Sequence, residues 1–372
     1  MSLSVPFFSF QYVHQQVQDE VYQAIREVYQ KNQFVLGAQL QKFEQAYAAY
    51  CGVPYCVGLA NGLDAIYVSL KLLGVQPDDE VIVPAHTYIA TWLAVSRAGA
   101  HIVPVDADEQ TMLMDIQKIA PLISKKTKVI LPVHLYGHPC DMKPLGELAK
   151  KQGIDMVEDN AQAHGATYDG LKTGSFGHCN ATSFYPTKNL GALGDGGAIT
   201  THDKTIYEQA LAFRNYGSTE RFVNPKRGIN SRLDELQAAV LSIKLKYLDD
   251  WNTKRKSIAA YYNAALTGVG DLLLPQIEAN QNHVFHLYVV RTKQRDKLQS
   301  FLATKGIETS IHYPTPPHLQ KAYEPLGYQR GDFPISEGIA ATALSLPLWP
   351  GLGEQQLAAV CNASREFFES AH

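Results

Sequence analysis

Between residues 80 and 158 the chain repeats one pattern, in which an unbroken run of apolar residues is followed by a stretch with helical spacing. The apolar runs have the length of strands and lie at 80–84, 101–105, 129–133 and 154–158. The helix-like stretches between them lie at 91–98, 114–120 and 143–152. Continuous hydrophobicity is typical of strands buried on both faces, and alternation with helices is typical of parallel βαβ units. The sequence therefore predicts an α/β fold around a mostly parallel sheet.

Helical spacing also precedes this region. Apolar residues recur at three- and four-residue steps over 14–31 and over 62–73, where Gly74 ends the second predicted helix. After the parallel region, a strand at 198–201 leads to a helix that Asp203 is placed to cap.

A long helix is predicted to begin at Asp234 and to continue toward Trp251, and the basic residues 254–256 are expected to form its solvated face. Beyond about residue 255 the character of the chain changes. A strand, a proline-rich segment and a final helix are predicted at 285–291, at 313–317 and up to Phe368. We therefore predict two domains, a large one at 1–250 and a smaller α+β one at 251–372.

Composition excludes several classes of function. The net charge of −3 comes without a run of lysines and arginines, which argues against a nucleic-acid binder. The first residues lack a signal-peptide pattern, and no apolar run approaches the roughly 18 residues that span a bilayer, so we expect a cytoplasmic protein. The five cysteines are scattered and form no CxxC pair, which predicts reduced thiols and no zinc site.

Lys188 and Asp159 are the residues that most suggest chemistry. Lys188 lies in a stretch rich in glycine and hydroxyl groups, and Asp159 ends a predicted strand. A lysine in small surroundings suits a Schiff base with an aldehyde cofactor, and an acid at a strand end suits the partner of a pyridinium nitrogen. Together they suggest pyridoxal 5′-phosphate. Glu158 remains an alternative acid, because neighbouring side chains on a strand point in opposite directions.

Groups that could hold the phosphate and the ring are also present. A phosphate requires donors such as free N–H groups at a helix N-terminus and nearby hydroxyls. The turn before Gly62 and Leu63 offers such N–H groups, and Ser183 offers a hydroxyl. Tyr88 follows a buried strand, where an aromatic ring could stack on the cofactor, although a tyrosine in such a place more often belongs to the core.

Other motifs are weaker. His134 and His138 are four residues apart, but Gly137 and Pro139 break any helix that would align them as metal ligands. The glycines of 191–197 lead into a strand and not into a helix, which disfavours a dinucleotide-binding loop. The sequence therefore predicts no metal site.

Together these motifs resemble the sugar aminotransferase branch of the fold-type I pyridoxal-phosphate enzymes, the DegT/DnrJ/EryC1/StrS family. The resemblance covers nearly the whole chain and implies a large α/β domain that binds the cofactor, followed by a smaller C-terminal α+β domain. The matching segments, in family order, are 61–62, 84–91, 159–165, 183–197, 214–217, 228–235 and 311–314.

The resemblance implies a role for each matching residue. Lys188 would form the Schiff base and move the proton, and Asp159 would pair with the ring nitrogen. The remaining cofactor contacts would come from Gly62, Leu63, Tyr88, Gln162 and Ser183, and from Asn230 of a neighbouring subunit in a homodimer with shared active sites. Residues in loops that suit the substrate are Tyr185, Arg221, Lys226, His312 and Tyr313.

The resemblance also implies a reaction. Family members that dehydrate sugars carry histidine in place of the lysine, so Lys188 favours transamination, with L-glutamate as the usual amino donor. The residues flanking Lys188 look most like members that act on C3 of a dTDP-linked 3-keto-6-deoxyhexose. A C4 or UDP-sugar aminotransferase is the alternative, and a non-catalytic regulatory protein on the same fold is a second one.

Overall fold

A computed structural model describes residues 4–370 and shows α-helices that flank a central sheet. The strands are β1 (Tyr55–Leu59), β2 (Glu80–Pro84), β3 (His101–Val105), β4 (Thr127–Ile130), β5 (Asp155–Asp159), β6 (Thr167–Tyr168), β7 (Leu171–Lys172), β8 (Cys179–Ser183), β9 (Gly197–Thr201), β10 (Gln281–Asn282), β11 (Tyr288–Arg291) and β12 (Ala343–Leu346). The helices are α1 (Gln11–Lys31), α2 (Ala38–Cys51), α3 (Gly62–Leu72), α4 (Ile89–Ala98), α5 (Met142–Gln152), α6 (Lys204–Phe213), α7 (Glu235–Leu245), α8 (Leu248–Leu266), α9 (Arg295–Thr304), α10 (Pro334–Thr342) and α11 (Glu354–Ser370).

The central sheet has the strand order β1-β9-β8-β5-β4-β2-β3. The pairs β2·β3, β2·β4, β4·β5 and β5·β8 are parallel, and β9 runs antiparallel to both of its neighbours, β8 and β1. The predicted α/β fold with a mostly parallel sheet is therefore confirmed. Because parallel strands end at the same edge, β5 and β8 bring their C-terminal residues Asp159 and Ser183 to one side of the sheet.

Several predicted elements are wrong in detail. The stretch 114–120 is not an α-helix but contains short 3-10 turns at Ile116–Lys118 and Ala120–Leu122. The long helix from Asp234 is interrupted between α7 and α8. The strand predicted at 285–291 begins only at Tyr288, because Phe285 has a positive φ of 47° that extended backbone does not allow. The prediction also omits α2.

The expectation of a solvated basic face at 254–256 is wrong for Arg255. This residue is buried, and its guanidinium donates to the backbone carbonyls of Phe285, His286 and Leu348 at 3.2–3.3 Å. A buried cation requires such acceptors, and three carbonyl dipoles replace the water that it loses. Arg255 thereby fixes α8 against the segment that precedes β11.

The buried apolar residues fall into several clusters. The largest surrounds the sheet strands β2 to β5 and the helices α3 to α5. A second cluster joins Val5 to residues between Ile258 and Phe368, across α8, β11, β12 and α11. The predicted boundary between residues 250 and 251 lies inside α8, and the two-domain division stays a prediction.

Among residues 4–370, no helix is both long and apolar enough to cross a bilayer.

Candidate active site

A cavity of about 680 Å³ lies at the C-terminal edge of β5 and β8 and reaches the first turns of α3 and α4. Open α/β sheets place their ligands at this edge. Most of the residues predicted from the sequence line the cavity, namely Gly62, Leu63, Tyr88, Asp159, Gln162, Ser183, Tyr185, Lys188, His312 and Tyr313.

Lys188 lies in a tight turn between β8 and β9. Its amide donates to the carbonyl of Tyr185 at 2.9 Å. The turn closes at Gly191, where a Cβ atom would lie 2.1 Å from the carbonyl oxygen of Pro186, so only glycine fits. The side chain of Lys188 opens onto the cavity but lies deep in the protein, and this burial lowers the pKa of its amine to about 8 against the opposing charge of Asp159. A lysine in this state is a competent nucleophile near neutral pH.

Asp159 ends β5 and faces the cavity. Its carboxylate accepts hydrogen bonds from the Thr91 hydroxyl at 2.9 Å and from the Ala161 amide at 3.1 Å. Burial raises the pKa of Asp159, while these two donors and the charge of Lys188 act in the opposite direction. The donors therefore favour a carboxylate that can face a cationic ligand atom.

Glu158, the alternative acid, points away from the cavity. It is fully buried and accepts hydrogen bonds from the amides of Gly174 and Gly177 at 2.8 and 2.9 Å, from the Phe176 amide, and from His134 at 2.8 Å. The amide of Cys140 donates to the other ring nitrogen of His134, so the imidazole is neutral and donates through Nε2. Glu158 thus fixes the turn before β8, and Asp159 is the one of these two acids that lines the cavity.

Gln162 is held at both ends of its amide. Its Oε1 accepts from the Tyr136 amide at 2.6 Å, and its Nε2 donates to the Tyr313 hydroxyl at 3.1 Å. Tyr313 in turn packs against Tyr88 with a ring separation of 5.1 Å. Tyr88 is 53% exposed, so it lies at the mouth of the cavity and not in the core.

The start of α3 forms an anion cradle. Asn61 caps the helix by accepting from the Asp64 amide at 2.8 Å, and the amides of Gly62 and Leu63 have no acceptor among the described residues. A Cβ atom on Gly62 would lie 2.6 Å from Cβ of Ser183, so glycine allows the hydroxyl-bearing residue to approach. Free amides at a helix start beside a serine are the donor set that a phosphate requires.

The cradle, the lysine and the acid therefore fit pyridoxal 5′-phosphate. They supply donors for its phosphate, an amine for its aldehyde and a carboxylate for its ring nitrogen, all around one cavity large enough for the group.

Three predicted residues do not reach this cavity. Asn230, Arg221 and Lys226 lie on an exposed segment outside it, where Asn230 pairs with Asn215. In the single chain they contribute nothing to the site.

Thr91 and His286 are among the residues of the site that the sequence did not predict. Thr91 holds Asp159, and His286 lines the cavity beside Lys188. Thr91 lies within the segment 84–91 that carries the family pattern. It follows Tyr88 by three residues, in the first turn of α4, and this spacing is the signal in the sequence that could have identified it. His286 precedes a strand of another part of the chain, and nothing in its local sequence indicates the contact.

Comparison with known proteins agrees with this geometry. The sequence profile of the DegT/DnrJ/EryC1/StrS aminotransferase family matches residues 15–365. The chain belongs to this family. It is 45% identical to dTDP-3-amino-3,4,6-trideoxy-alpha-D-glucose transaminase of Streptomyces venezuelae, over 98% of this chain and 96% of that protein. It is 46% identical to dTDP-3-amino-3,6-dideoxy-alpha-D-galactopyranose transaminase of Aneurinibacillus thermoaerophilus, over 98% and 99%.

The fold of this aminotransferase-family chain is also that of a solved relative. The crystal structure of Streptomyces venezuelae DesV in complex with a ketimine intermediate superposes with a TM-score of 0.97, at 45% identity, and covers 98% of this chain and 99% of the other. The prediction of a fold-type I aminotransferase is therefore confirmed.

Proposed function

We propose that this protein is a pyridoxal-phosphate-dependent aminotransferase that moves an amino group from L-glutamate to C3 of a dTDP-linked 3-keto-6-deoxyhexose. The pairing of Lys188 and Asp159 across one cavity carries the proposal of transamination, because it joins an amine of lowered pKa to a buried carboxylate. The position on the sugar is supported by the residues around Lys188 and by the two similar relatives, which are both named as transaminases of dTDP-linked 3-amino sugars.

Each residue of the site has a part in this proposal. Pyridoxal phosphate, when bound, supplies the electron sink that allows an amino group to pass between two carbon skeletons. Lys188 would supply the amine that bonds to the cofactor and would then hold or move a proton at Nζ. Asp159 would hold the proton on the ring nitrogen, Gln162 would orient the ring through its remaining N–H, and Tyr88 would cover it. The amides of Gly62 and Leu63 and the hydroxyl of Ser183 would hold the phosphate.

We propose that the catalytically active unit is a homodimer. The mouth of the cavity exposes large apolar residues, with Tyr88 at 53%, Leu93 at 38% and Tyr185 at 52% exposure, which a second copy of the chain would cover. Asn230 lies outside its own cavity, so it could contact the phosphate only in a partner. A cytoplasmic location stays a prediction.

Substrate assays test the function. The protein, loaded with cofactor, is incubated with L-glutamate and, separately, with 3-keto and 4-keto dTDP-6-deoxyhexoses and with a UDP-linked keto sugar. We expect a 3-amino product from the first sugar, and formation of the 4-amino or UDP-linked product alone would favour the alternatives. Lys188→Ala is expected to lack both turnover and the visible absorbance of the lysine-bound cofactor.

A non-catalytic regulatory protein is the second alternative. If the wild-type protein acquires no visible band with added pyridoxal phosphate, and no spectral change follows glutamate, then transamination is excluded and this alternative is favoured.

A further inference from the structure

Asn189, the neighbour of Lys188, is the centre of a buried chain of amides. Its Nδ2 donates to Oδ1 of Asn252 at 2.8 Å and to the backbone carbonyl of Val284 at 3.1 Å. Nδ2 of Asn252 donates onward to the backbone carbonyl of His164 at 2.8 Å. Oδ1 of Asn189 faces Nδ1 of His286 at 3.3 Å. The chain of amides therefore joins the lysine turn to α8, to the loop after Asp159 and to the segment before β11.

The direction of each hydrogen bond in this series of amides is fixed by the backbone carbonyls at which the series ends. Backbone carbonyls only accept hydrogen bonds, so the carbonyls of Val284 and His164 require the NH₂ groups of Asn189 and Asn252 to face them. A flipped amide at either position would place two oxygens against each other. Oδ1 of Asn189 is therefore the atom that faces His286, and it can only accept.

This direction assigns the tautomer of His286. Because Oδ1 of Asn189 accepts, Nδ1 of His286 carries the proton. His286 lines the cavity together with Lys188 and His312, and it also lines a smaller cavity beside Phe7 and Phe8. The one side-chain hydrogen bond of His286 among residues 4–370 is that of Nδ1, so its Nε2 has no partner there. In the neutral ring Nε2 carries the lone pair and can accept a hydrogen bond.

The surroundings keep the ring neutral. Burial lowers the pKa of His286 well below its ordinary value, and the nearby charges of Lys188 and Arg255 act in the same direction, as do His312 and His164 when protonated. The lone pair on Nε2 therefore persists through the neutral range of pH.

We propose that His286 is a substrate-binding residue, which accepts a hydrogen bond through Nε2 from a hydroxyl group of the hexose, and that Asn189 positions it for this role. The inference rests on the proposed function. A sugar presents several O–H donors, whereas the carboxylates of L-glutamate present only acceptors at neutral pH, which a lone pair would repel.

Two substitutions of His286 separate the proposed hydrogen bond at Nε2 from the hydrogen bond that joins the side chain to Asn189. In His286→Asn the shorter amide can keep the bond to Asn189 but leaves no acceptor at the place of Nε2. In His286→Gln the longer amide can restore an acceptor there. The probe is a dTDP-linked 6-deoxyhexose without a keto group, which binds without reacting, and dTDP alone is the reference ligand.

Calorimetric titration of the cofactor-loaded proteins provides the test. We expect His286→Asn to bind the dTDP-hexose roughly three- to tenfold more weakly than the wild type, the range for one neutral hydrogen bond, and to bind dTDP unchanged. His286→Gln should recover part of the loss.

Different results would contradict the role of His286 and the proposed aminotransferase function. Equal affinity of wild type and His286→Asn for the dTDP-hexose, or an equal loss for dTDP, would overturn the role of His286 and leave the aminotransferase proposal standing. A wild-type holoenzyme that binds neither ligand would overturn both, because a dTDP-linked sugar would then not be a substrate.

Discussion

The carboxylate of Asp159 and the hydroxyl of Thr91 are joined by a hydrogen bond of 2.9 Å between β5 and the first turn of α4. Both side chains are buried, and the hydroxyl also lies 3.1 Å from that of Thr87. A donor to a buried carboxylate stabilises its charged form, so Thr91 opposes the rise in the pKa of Asp159 that burial causes.

Removal of this donor should weaken the function of Asp159 without unfolding the protein. Thr91→Val keeps the shape of the side chain but removes the hydroxyl. A hydrogen bond to a charged group is worth about 1.5–3 kcal/mol, so we expect kcat/KM for glutamate to fall roughly ten- to hundredfold. The pKa of Asp159 rises further, so the acidic limb of the pH–rate profile should move to higher pH. Thr91→Ser retains the donor and should keep most activity; equal losses in both variants would contradict the assignment.

The amine of Lys188 should titrate near pH 8 in the cofactor-free protein. Burial lowers its pKa from 10.5 to about 8, so the neutral, reactive form becomes abundant as the pH rises through 8. Acetylation by acetic anhydride, followed by mass spectrometry of the peptide that contains Lys188, measures the midpoint. Asp159→Asn removes the charge that raises this pKa, so its midpoint should be lower. A midpoint near 10 in the wild type would show a solvated amine.

Glu158 and Asp159 should respond differently to the loss of charge. Glu158→Gln would turn an NH₂ group toward amides that themselves donate, and such a broken buried network costs about 3–5 kcal/mol of unfolding free energy. Asp159→Asn leaves an acceptor for Thr91 and should abolish most turnover with a smaller effect on stability. Denaturant unfolding and turnover are measured on both variants, and the reverse ranking would exchange the roles of the two acids.

The sequence predicts much of this site because its residues follow local patterns. Unbroken apolar runs identify β2 to β5, and the C-terminal ends of parallel strands then place Asp159 at a ligand-binding edge. The alternation of side chains also separates Glu158 from Asp159 into opposite directions. Which acid faces the cavity was decided by the resemblance and by the structure, since either register is compatible with a strand.

Other parts of the site have no local pattern. His286 reaches Lys188 across 98 positions of sequence, through tertiary packing that periodicity does not encode. The prediction of a solvated Arg255 fails for the same reason, because its acceptors are backbone carbonyls of distant residues, and a basic triplet on a helix gives no sign of them. The interruption between α7 and α8 likewise falls in a stretch without glycine or proline.

The lysine turn should tolerate no side chain at Gly191. In Gly191→Ala the new Cβ would lie 2.1 Å from the carbonyl of Pro186, so the turn must open and displace Lys188. We expect loss of cofactor binding, measured by the visible band. Gly146→Ala, within α5, meets open space and should instead stabilise the protein by roughly 0.5–1 kcal/mol. Retention of the band in Gly191→Ala would contradict a rigid turn.

Mixed dimers should show whether active sites are shared. Lys188→Ala lacks the amine, and Asn230→Asp would place a negative charge against the partner's phosphate, so each homodimer should lose activity. A heterodimer of the two variants combines Lys188 from one chain with Asn230 from the other in one intact site. Random pairing after co-expression makes half of the dimers mixed, and each mixed dimer has one intact site of its two. About a quarter of all sites should therefore be intact, and the activity of the mixture should return to about a quarter of that of the wild type.

The control for this experiment places both substitutions in one chain. Lys188→Ala co-expressed with the double variant Lys188→Ala/Asn230→Asp contains no intact site in any pairing, and it should stay inactive. Affinity tags of two kinds isolate the heterodimer, whose activity and visible absorbance are then measured. An inactive mixed dimer of the single variants would place Asn230 outside the partner's site, because complementation requires each chain to complete the other's cavity.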